Sequence, residues 1–346
     1  MNEPGAVRGE DAFDVEAVHA WLGEKGGPPE VRQFSGGVSN LTYLLRYPGK
    51  DLILRRPPGG TKASSAHDMR REYRIQSRLR PVYRYVPEMV ALCTDPAVIG
   101  SDFYVMERVP GTILRSELPA GVTLTEGQAA GLCHNLFGRL ADLHSVDPAD
   151  LADLGRGPGY VRRQVSGWTG RLHQARTPDA PAFDAVEDWL AANQPADVAA
   201  CVIHNDYRFD NVVLDPERPW DSPSAVRGVL DWEMATIGDP LMDLGGALAY
   251  WVQADDNEEF ALLRRQPSDL PGMLSRREVV AYYRERTGYD TDAWPFYETF
   301  GVFRLAVIVQ QIYYRYFHGQ TTNPAFQHYG YAVGFLRDQA LRAMAG

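Results

Sequence analysis

His204-Asn205-Asp206-Tyr207-Arg208-Phe209-Asp210-Asn211 is the stretch that decides how this chain reads, together with one aspartate, Asp231, 25 residues beyond Asp206. The spacing is H-x-D-x-x-x-x-N. Cys201-Val202-Ile203 precedes the stretch and Val212-Val213-Leu214 follows it. Both flanks read as short buried strands around a polar loop. A carboxylate, an amide and a second carboxylate in that order suit phosphoryl transfer from a metal–nucleotide. The reaction needs a group to orient and deprotonate the acceptor hydroxyl, here Asp206, and oxygen ligands for Mg²⁺, here Asn211 and Asp231. His204 is expected to support the loop backbone rather than to bind metal.

Working outward, three earlier features fit the same chemistry. Ser35-Gly36-Gly37-Val38-Ser39-Asn40 lies between two strand-like pieces. Glycines such as Gly37 let backbone N–H groups approach phosphate oxygens, and Ser35, Ser39 and Asn40 can add donors. The G-x-x-x-x-G-K-[S/T] phosphate loop is absent from the sequence. In Leu52-Ile53-Leu54-Arg55-Arg56, alternation turns one arginine inward. Arg55 is expected to reach the nucleotide phosphates, held by Glu72 on the helix that follows. Downstream, Asp239-Pro240 reads as a helix cap with proline at the first helical position, and Asp243, one turn in, is placed to bond the loop backbone.

The 346 residues, 45% of them hydrophobic, allow a sizeable core in two lobes. Cys93, Cys133 and Cys201 form no C-x-x-C pair, so neither a zinc site nor a disulfide framework is expected. No apolar run approaches about 18 residues and the start lacks a signal-peptide pattern, so a cytoplasmic protein without a membrane partner is expected. A net charge of −10 argues against nucleic acid as a partner. Residues 46–84 nonetheless hold eleven Arg and Lys against three acidic residues. A small basic lobe of that kind attracts a polyphosphate ligand.

The periodicity predicts an α+β protein. The first third is β-rich: a short helix over 13–22, strands within 31–47, a Pro48-Gly49 turn, a strand over 51–56, a helix over 65–80 capped by Ser65, and a strand over 101–109. Helices are then predicted at 125–145, 183–193, 240–253, 276–286, 296–318 and 327–344, interrupted by strand-like 201–232. The lobe boundary is set at 108/109: a nucleotide-binding lobe over 1–108, and a catalytic and acceptor-binding lobe over 109–346.

Together these stretches resemble the aminoglycoside phosphotransferase-type kinases, and within them the phosphotransferase domain found in acyl-CoA dehydrogenase family members 10 and 11. The resemblance is carried by F-S-G-G-V-S-N-L-T-Y at 34–43, L-I-L-R-R-P-P at 52–58, R-E-Y-R-I at 71–75 and Y-V-M-E-R-V-P-G at 104–111. It continues through L-A-D-L-H at 140–144, V-I-H-N-D-Y-R-F-D-N at 202–211, V-L-D-W-E-M-A-T-I-G-D-P-L-M-D-L at 229–244 and F-R-L-A-V-I-V-Q-Q-I-Y-Y-R at 303–315. It implies a protein-kinase-like bilobal fold with a small β-rich N-lobe and a larger helical C-lobe. ATP (or GTP) and Mg²⁺ are the implied cofactors. Met106, Glu107 and Val109 would belong to the linker that meets the purine. Two positions depart from the family pattern. Arg55 replaces the usual strand lysine, and Asn205 stands where glycine is more usual.

The acceptor is less legible. Arg208, Tyr250, Trp251, Arg304, Gln311, Tyr314 and Arg315 are candidates to line its pocket. Two of the cations, Arg304 and Arg315, point to an anionic acceptor, a hydroxy acid or its CoA ester. An aminoglycoside or another antibiotic would need a carboxylate-lined pocket, which Asp255-Asp256-Asn257-Glu258-Glu259 offers as an alternative. A nucleotide-binding pseudokinase module is the third reading, opposed by the intact Asp206, Asn211 and Asp231.

Overall fold

A computed structural model describes residues 4–34, 40–58, 68–321 and 323–345. The chain begins with α1 (Val15–Leu22), β1 (Glu30–Gln33), β2 (Leu41–Tyr47), β3 (Lys50–Arg56), α2 (Met69–Leu79), β4 (Met89–Cys93), α3 (Pro96–Ile99), β5 (Phe103–Glu107) and β6 (Thr112–Ile113). It continues with α4 (Glu126–His144), α5 (Tyr160–Gln174), α6 (Asp184–Ala192), β7 (Cys201–Ile203), β8 (Val212–Leu214), β9 (Val226–Val229), β10 (Thr236–Gly238), α7 (Pro240–Leu248), α8 (Glu258–Ala261), α9 (Arg276–Thr287), α10 (Trp294–Phe317) and α11 (Tyr329–Ala343). Two compact units result. The smaller runs to Ile113 and takes in Val212–Glu217 and Val226–Glu233; the larger holds the remainder.

The smaller unit is built on an antiparallel sheet of order β1-β2-β3-β5-β4. Alternation gives this sheet two apolar faces. Tyr43, Leu45, Leu52, Leu54, Phe103 and Val105 pack beneath α1, with Val18, Trp21 and Leu22. Leu44, Ile53, Tyr104 and Met106 pack beneath Met69 of α2. The same alternation separates the two arginines of β3. Arg56 donates to Asp11 O (2.7 Å) and Tyr43 Oη, and Arg55 faces the α2 side. β6, β8 and β9 form a second small sheet of this unit. The helix predicted from Ser65 begins at Met69, capped by Asp68, whose carboxylate accepts from Arg71 N at 2.9 Å. Ser65 lies outside the described residues.

The larger unit is mainly helical. Predicted helices at 125–145, 183–193, 276–286, 296–318 and 327–344 are present as α4, α6, α9, α10 and α11. The stretch predicted as one helix over 240–253 stops at Leu248. There the Trp251 indole turns to Leu274 O (2.8 Å), and Asp256 accepts from Gln253 N (2.8 Å). Helix α5, strand β4 and strand β10 were not expected from periodicity. The start of α5 explains the first omission. Its N-cap, Gly159, has φ 84° and no capping side chain. The cap comes from Asp197, whose carboxylate accepts from Gly159 N (2.6 Å), Tyr160 N (2.9 Å) and Val161 N (2.9 Å). A cap 36 to 38 residues away leaves no local signature.

Asp197 also yields a stability prediction. Burial works to raise its pKa, but the three backbone donors outweigh it and hold the carboxyl below its usual value. A depressed folded-state pKa stabilises above the ordinary carboxylate range, and that contribution is lost as pH falls through the depressed value. Asp197→Ala should therefore destabilise by about 1–2 kcal/mol at neutral pH. In thermal melts the difference from wild type should shrink below pH 3.8. A pH-independent difference would contradict this.

Candidate active site

Two clusters of polar side chains carry the predicted residues, one in each unit. In the larger unit, β7 and the first residues of α7 brace the loop that opens with His204. Asp239 caps α7 through Leu241 N (2.9 Å) and Met242 N (3.0 Å), with Pro240 at its first position. Asp243, one turn further, accepts from His204 N and Asn205 N, both at 2.7 Å. His144 of α4 reaches the same carboxylate at 3.1 Å and is itself bonded to Tyr283. Burial opposes the charge on Asp243, but these hydrogen bonds and imidazoles keep it ionised, with its pKa below the usual range.

Asn205 then turns the chain with φ 66°, a left-handed conformation that asparagine tolerates better than most side chains. This accounts for a non-glycine residue at the position. Its side chain adds bonds glycine lacks, to Met234 O (3.1 Å) and from Tyr160 Oη (3.2 Å). His204 is fully buried, and its Nδ1 accepts from Asp206 N at 3.2 Å, so it supports the loop backbone.

Asp206 lies on the rim of this brace. Asn211 Nδ2 donates to Asp206 O (2.8 Å) and to Asp206 Oδ2 (3.2 Å). Arg208 Nη2 pairs with Asp206 Oδ2 at 3.1 Å, and its guanidinium lies 4.6 Å from the Tyr250 ring centroid. Burial disfavours the charge on Arg208, but Asp206 and Asp210 more than offset that. Arg304 of α10 is buried and donates to Asn205 O at 2.7 Å. Burial pushes the Tyr250 phenol up, with Asp206, Arg208 and Arg304 as the nearby charges.

Other acceptor candidates separate from this group. Trp251 is buried against Phe137 and Phe209 as core. Gln311, Tyr314 and Arg315 line a different cavity, with Arg171 and Gln174. In the acidic run, Asp256 is held by Arg276 through two contacts of 2.7 Å, and Asp255 accepts from Gln253 at 2.7 Å. Glu258 and Glu259 form the first turn of α8, capped by Asn257.

In the smaller unit, Arg55 is the hub. Its guanidinium lies 3.5 Å from Glu72, 3.1 Å from Asp231 and 3.9 Å from Glu233. Glu72 is buried and accepts from Asn40 Nδ2 (2.8 Å) and Tyr104 Oη (3.0 Å). Burial raises the Glu72 pKa and Arg55 opposes the rise. Asn40 also reaches Glu233 at 3.1 Å. Asp231 has φ 65°, a strained value for a non-glycine residue of the kind that recurs at functional sites. Glu233 was not singled out from the sequence, although its place two residues beyond Asp231, in one tight turn, was the available signal. Met106 and Glu107 end β5, and the chain leaves the sheet at Arg108, whose N–H donates to Asp51 O, just before Val109. Ser35, Gly37 and Ser39 lie outside the described residues.

These residues can hold the implied cofactors. Arg55 Nε is buried without a hydrogen-bond partner among the described residues, a donor left for a phosphate oxygen. Asp231 in the smaller unit carries a carboxylate and Asn211 in the larger an amide, each with a hard oxygen donor. Mg²⁺ takes one or two carboxylates and fills its shell with water and phosphate oxygens, so it needs no larger protein cage.

Comparison with known proteins shows the family of the chain. The family model described as phosphotransferase enzyme family matches residues 30–279, and the chain belongs to that family. The matched family is one of phosphotransferases. The chain is similar to mouse acyl-CoA dehydrogenase family member 10, 34% identical over 311 residues, or 88% of this chain. It spans only 28% of that relative's length. Among solved structures it resembles a Ralstonia eutropha protein provisionally named an aminoglycoside phosphotransferase, with a TM-score of 0.80 and 30% identity over 96% of this chain and 99% of that one. Choline kinase of Cryptosporidium parvum has the same fold at 12% identity, with a TM-score of 0.61 and 96% of each chain covered. The small antiparallel-sheet unit and the larger helical unit are thus a kinase-like bilobal fold. No helix among the described residues is long and apolar enough to cross a membrane.

Proposed function

We propose that the chain transfers the γ-phosphate of ATP, with Mg²⁺, to the hydroxyl of an anionic small molecule such as a hydroxy acid or its CoA ester. The observation that carries the acceptor class is the sign of charge beside Asp206. Arg208 pairs with it, and Arg304 is bonded to the preceding residue's carbonyl. Tyr250 completes this wall. Two guanidiniums attract a carboxylate or thioester-linked anion and repel a polycation. The acidic run that an aminoglycoside would need is engaged instead with Arg276, Gln253 and a helix start. The name of the mouse relative points toward acyl-CoA, though that protein is far longer.

In this reading Asp206 orients the acceptor hydroxyl and takes its proton. Asn211 and Asp231 would hold Mg²⁺ through their oxygens, and the bound ion would supply positive charge against the phosphates. Arg55, anchored by Glu72, binds the α- and β-phosphates as a fork rather than as the point charge of lysine. Asn40, Ser39, Gly37 and Ser35 contribute donors to the phosphates, and Met106, Glu107 and Val109 meet the purine.

An acceptor panel tests this. With Mg²⁺–ATP, hydroxy acids and hydroxyacyl-CoA esters should stimulate ADP release at least about 10-fold better in kcat/KM than aminoglycosides or choline, a difference of about 1.4 kcal/mol. Preference for the polycations would overturn the acceptor assignment.

A further inference from the structure

The pair of helices α5 and α10 carries an arrangement that transfer at Asp206 leaves unused. Trp168 of α5 has the Arg304 guanidinium 5.3 Å from its ring centroid and that of Arg171 at 4.6 Å. Arg304 is tied to Asn205 O, so this end of the helix pair abuts the loop that bears Asp206. Further along lies a cavity of about 470 Å³ lined by Arg171, Gln174, Gln311, Tyr314, Arg315 and Gln320, with Ala175 the remaining wall.

Its lining holds two guanidiniums, three amides and a phenol, and no carboxylate. Among the described residues neither Arg171 nor Arg315 is paired with an acid, so both guanidiniums at the cavity keep their charge free for an anion. Nearby Asp179 is engaged by Tyr313 at 2.6 Å. On a chain of net charge −10, an acid-free pocket with two arginines runs against the overall sign. Positions 304, 311 and 315 share one face of α10. At 1.5 Å per residue, Arg315 stands about 16 Å along the helix from Arg304.

We propose that this cavity is a second anion subsite, which takes the phosphate-bearing far end of an elongated acceptor whose hydroxyl reaches Asp206 along α5 and α10. It rests on the acceptor reading above. The donors exceed what a single carboxylate can accept, and guanidiniums bind phosphate through paired hydrogen bonds. The volume falls within the range of about 300–1,000 Å³ typical of small-ligand sites. The phosphate belongs either to a nucleotide-type carrier or to a short phosphorylated arm; the chemistry recognised is the same.

The test uses the full chain and the double variant R171A/R315A with three acceptors: a hydroxyacyl-CoA, the same acyl group on phosphopantetheine, and the free hydroxy acid. KM for the CoA ester should rise at least about 10-fold with little change in kcat, while KM for the free acid moves less than about twofold. If the phosphopantetheine ester weakens as the CoA ester does, the subsite reads the arm's phosphate; if it behaves as the free acid, the subsite reads the nucleotide end. Equal loss for all three acceptors, or no loss for either phosphorylated one, overturns the proposal. Titration of CoA alone, without ATP, separates this from failure of the acceptor reading. Its Kd should rise at least about 10-fold in the double variant even if no acceptor turns over, and unchanged or undetectable wild-type binding overturns the subsite.

Discussion

Asp206→Asn should lower kcat by about 100- to 10,000-fold while leaving nucleotide affinity close to wild type. That is the range attributed to a positioned general base. The substitution keeps the shape of the side chain and the bond from Asn211 to the Asp206 carbonyl, so the loop is not expected to collapse. The brace beneath it depends on Asp243, His144 and His204, which are untouched. Steady-state kinetics with a saturating acceptor, alongside nucleotide titration, give the measurement. Full turnover in the variant would remove Asp206 from the chemistry.

The second large effect concerns Arg55. Its guanidinium is buried among Glu72, Asp231 and Glu233. Burial alone would lower its pKa, yet the Tyr104 hydroxyl and the three carboxylates more than reverse that, so it stays charged. Arg55→Met leaves Glu72 buried without its cation, which costs about 3–5 kcal/mol in comparable buried pairs. Nucleotide KM should rise by about 100-fold. Arg55→Lys should recover most of the affinity, because a lysine keeps the charge and loses only the fork. R55M/E72Q separates the two losses: it should regain stability in thermal melts without regaining nucleotide affinity. A wild-type KM in Arg55→Met would show that the phosphates are held elsewhere.

How far the sequence could be read follows from how local each interaction is. Arg55 and Glu72 were legible because a period-2 strand and a period-3.6 helix each assign a face from neighbouring residues alone. Asp239 and Asp243 were legible for a similar reason, since capping chemistry is written within one turn. Helix α5 was not, because its cap, Asp197, arrives from far along the chain. Its omission also hid Trp168 and Tyr160, which order the surroundings of Arg304 and Asn205. Among the acceptor candidates, charge and aromaticity could not separate Trp251, a core residue, from Tyr250, which carries Arg208 on its ring. Nor could they show that Arg304 and Arg315, on one face of one helix, serve places about 16 Å apart.

The most direct test of the central claim follows the label from γ-phosphate-labelled ATP in the presence of Mg²⁺ and a hydroxy acid or its CoA ester. Label should appear in an acid-stable phosphate monoester of the acceptor with the wild-type chain, and not with Asp206→Asn. Label recovered only as inorganic phosphate or on the protein itself, whatever acceptor is supplied, would contradict the account.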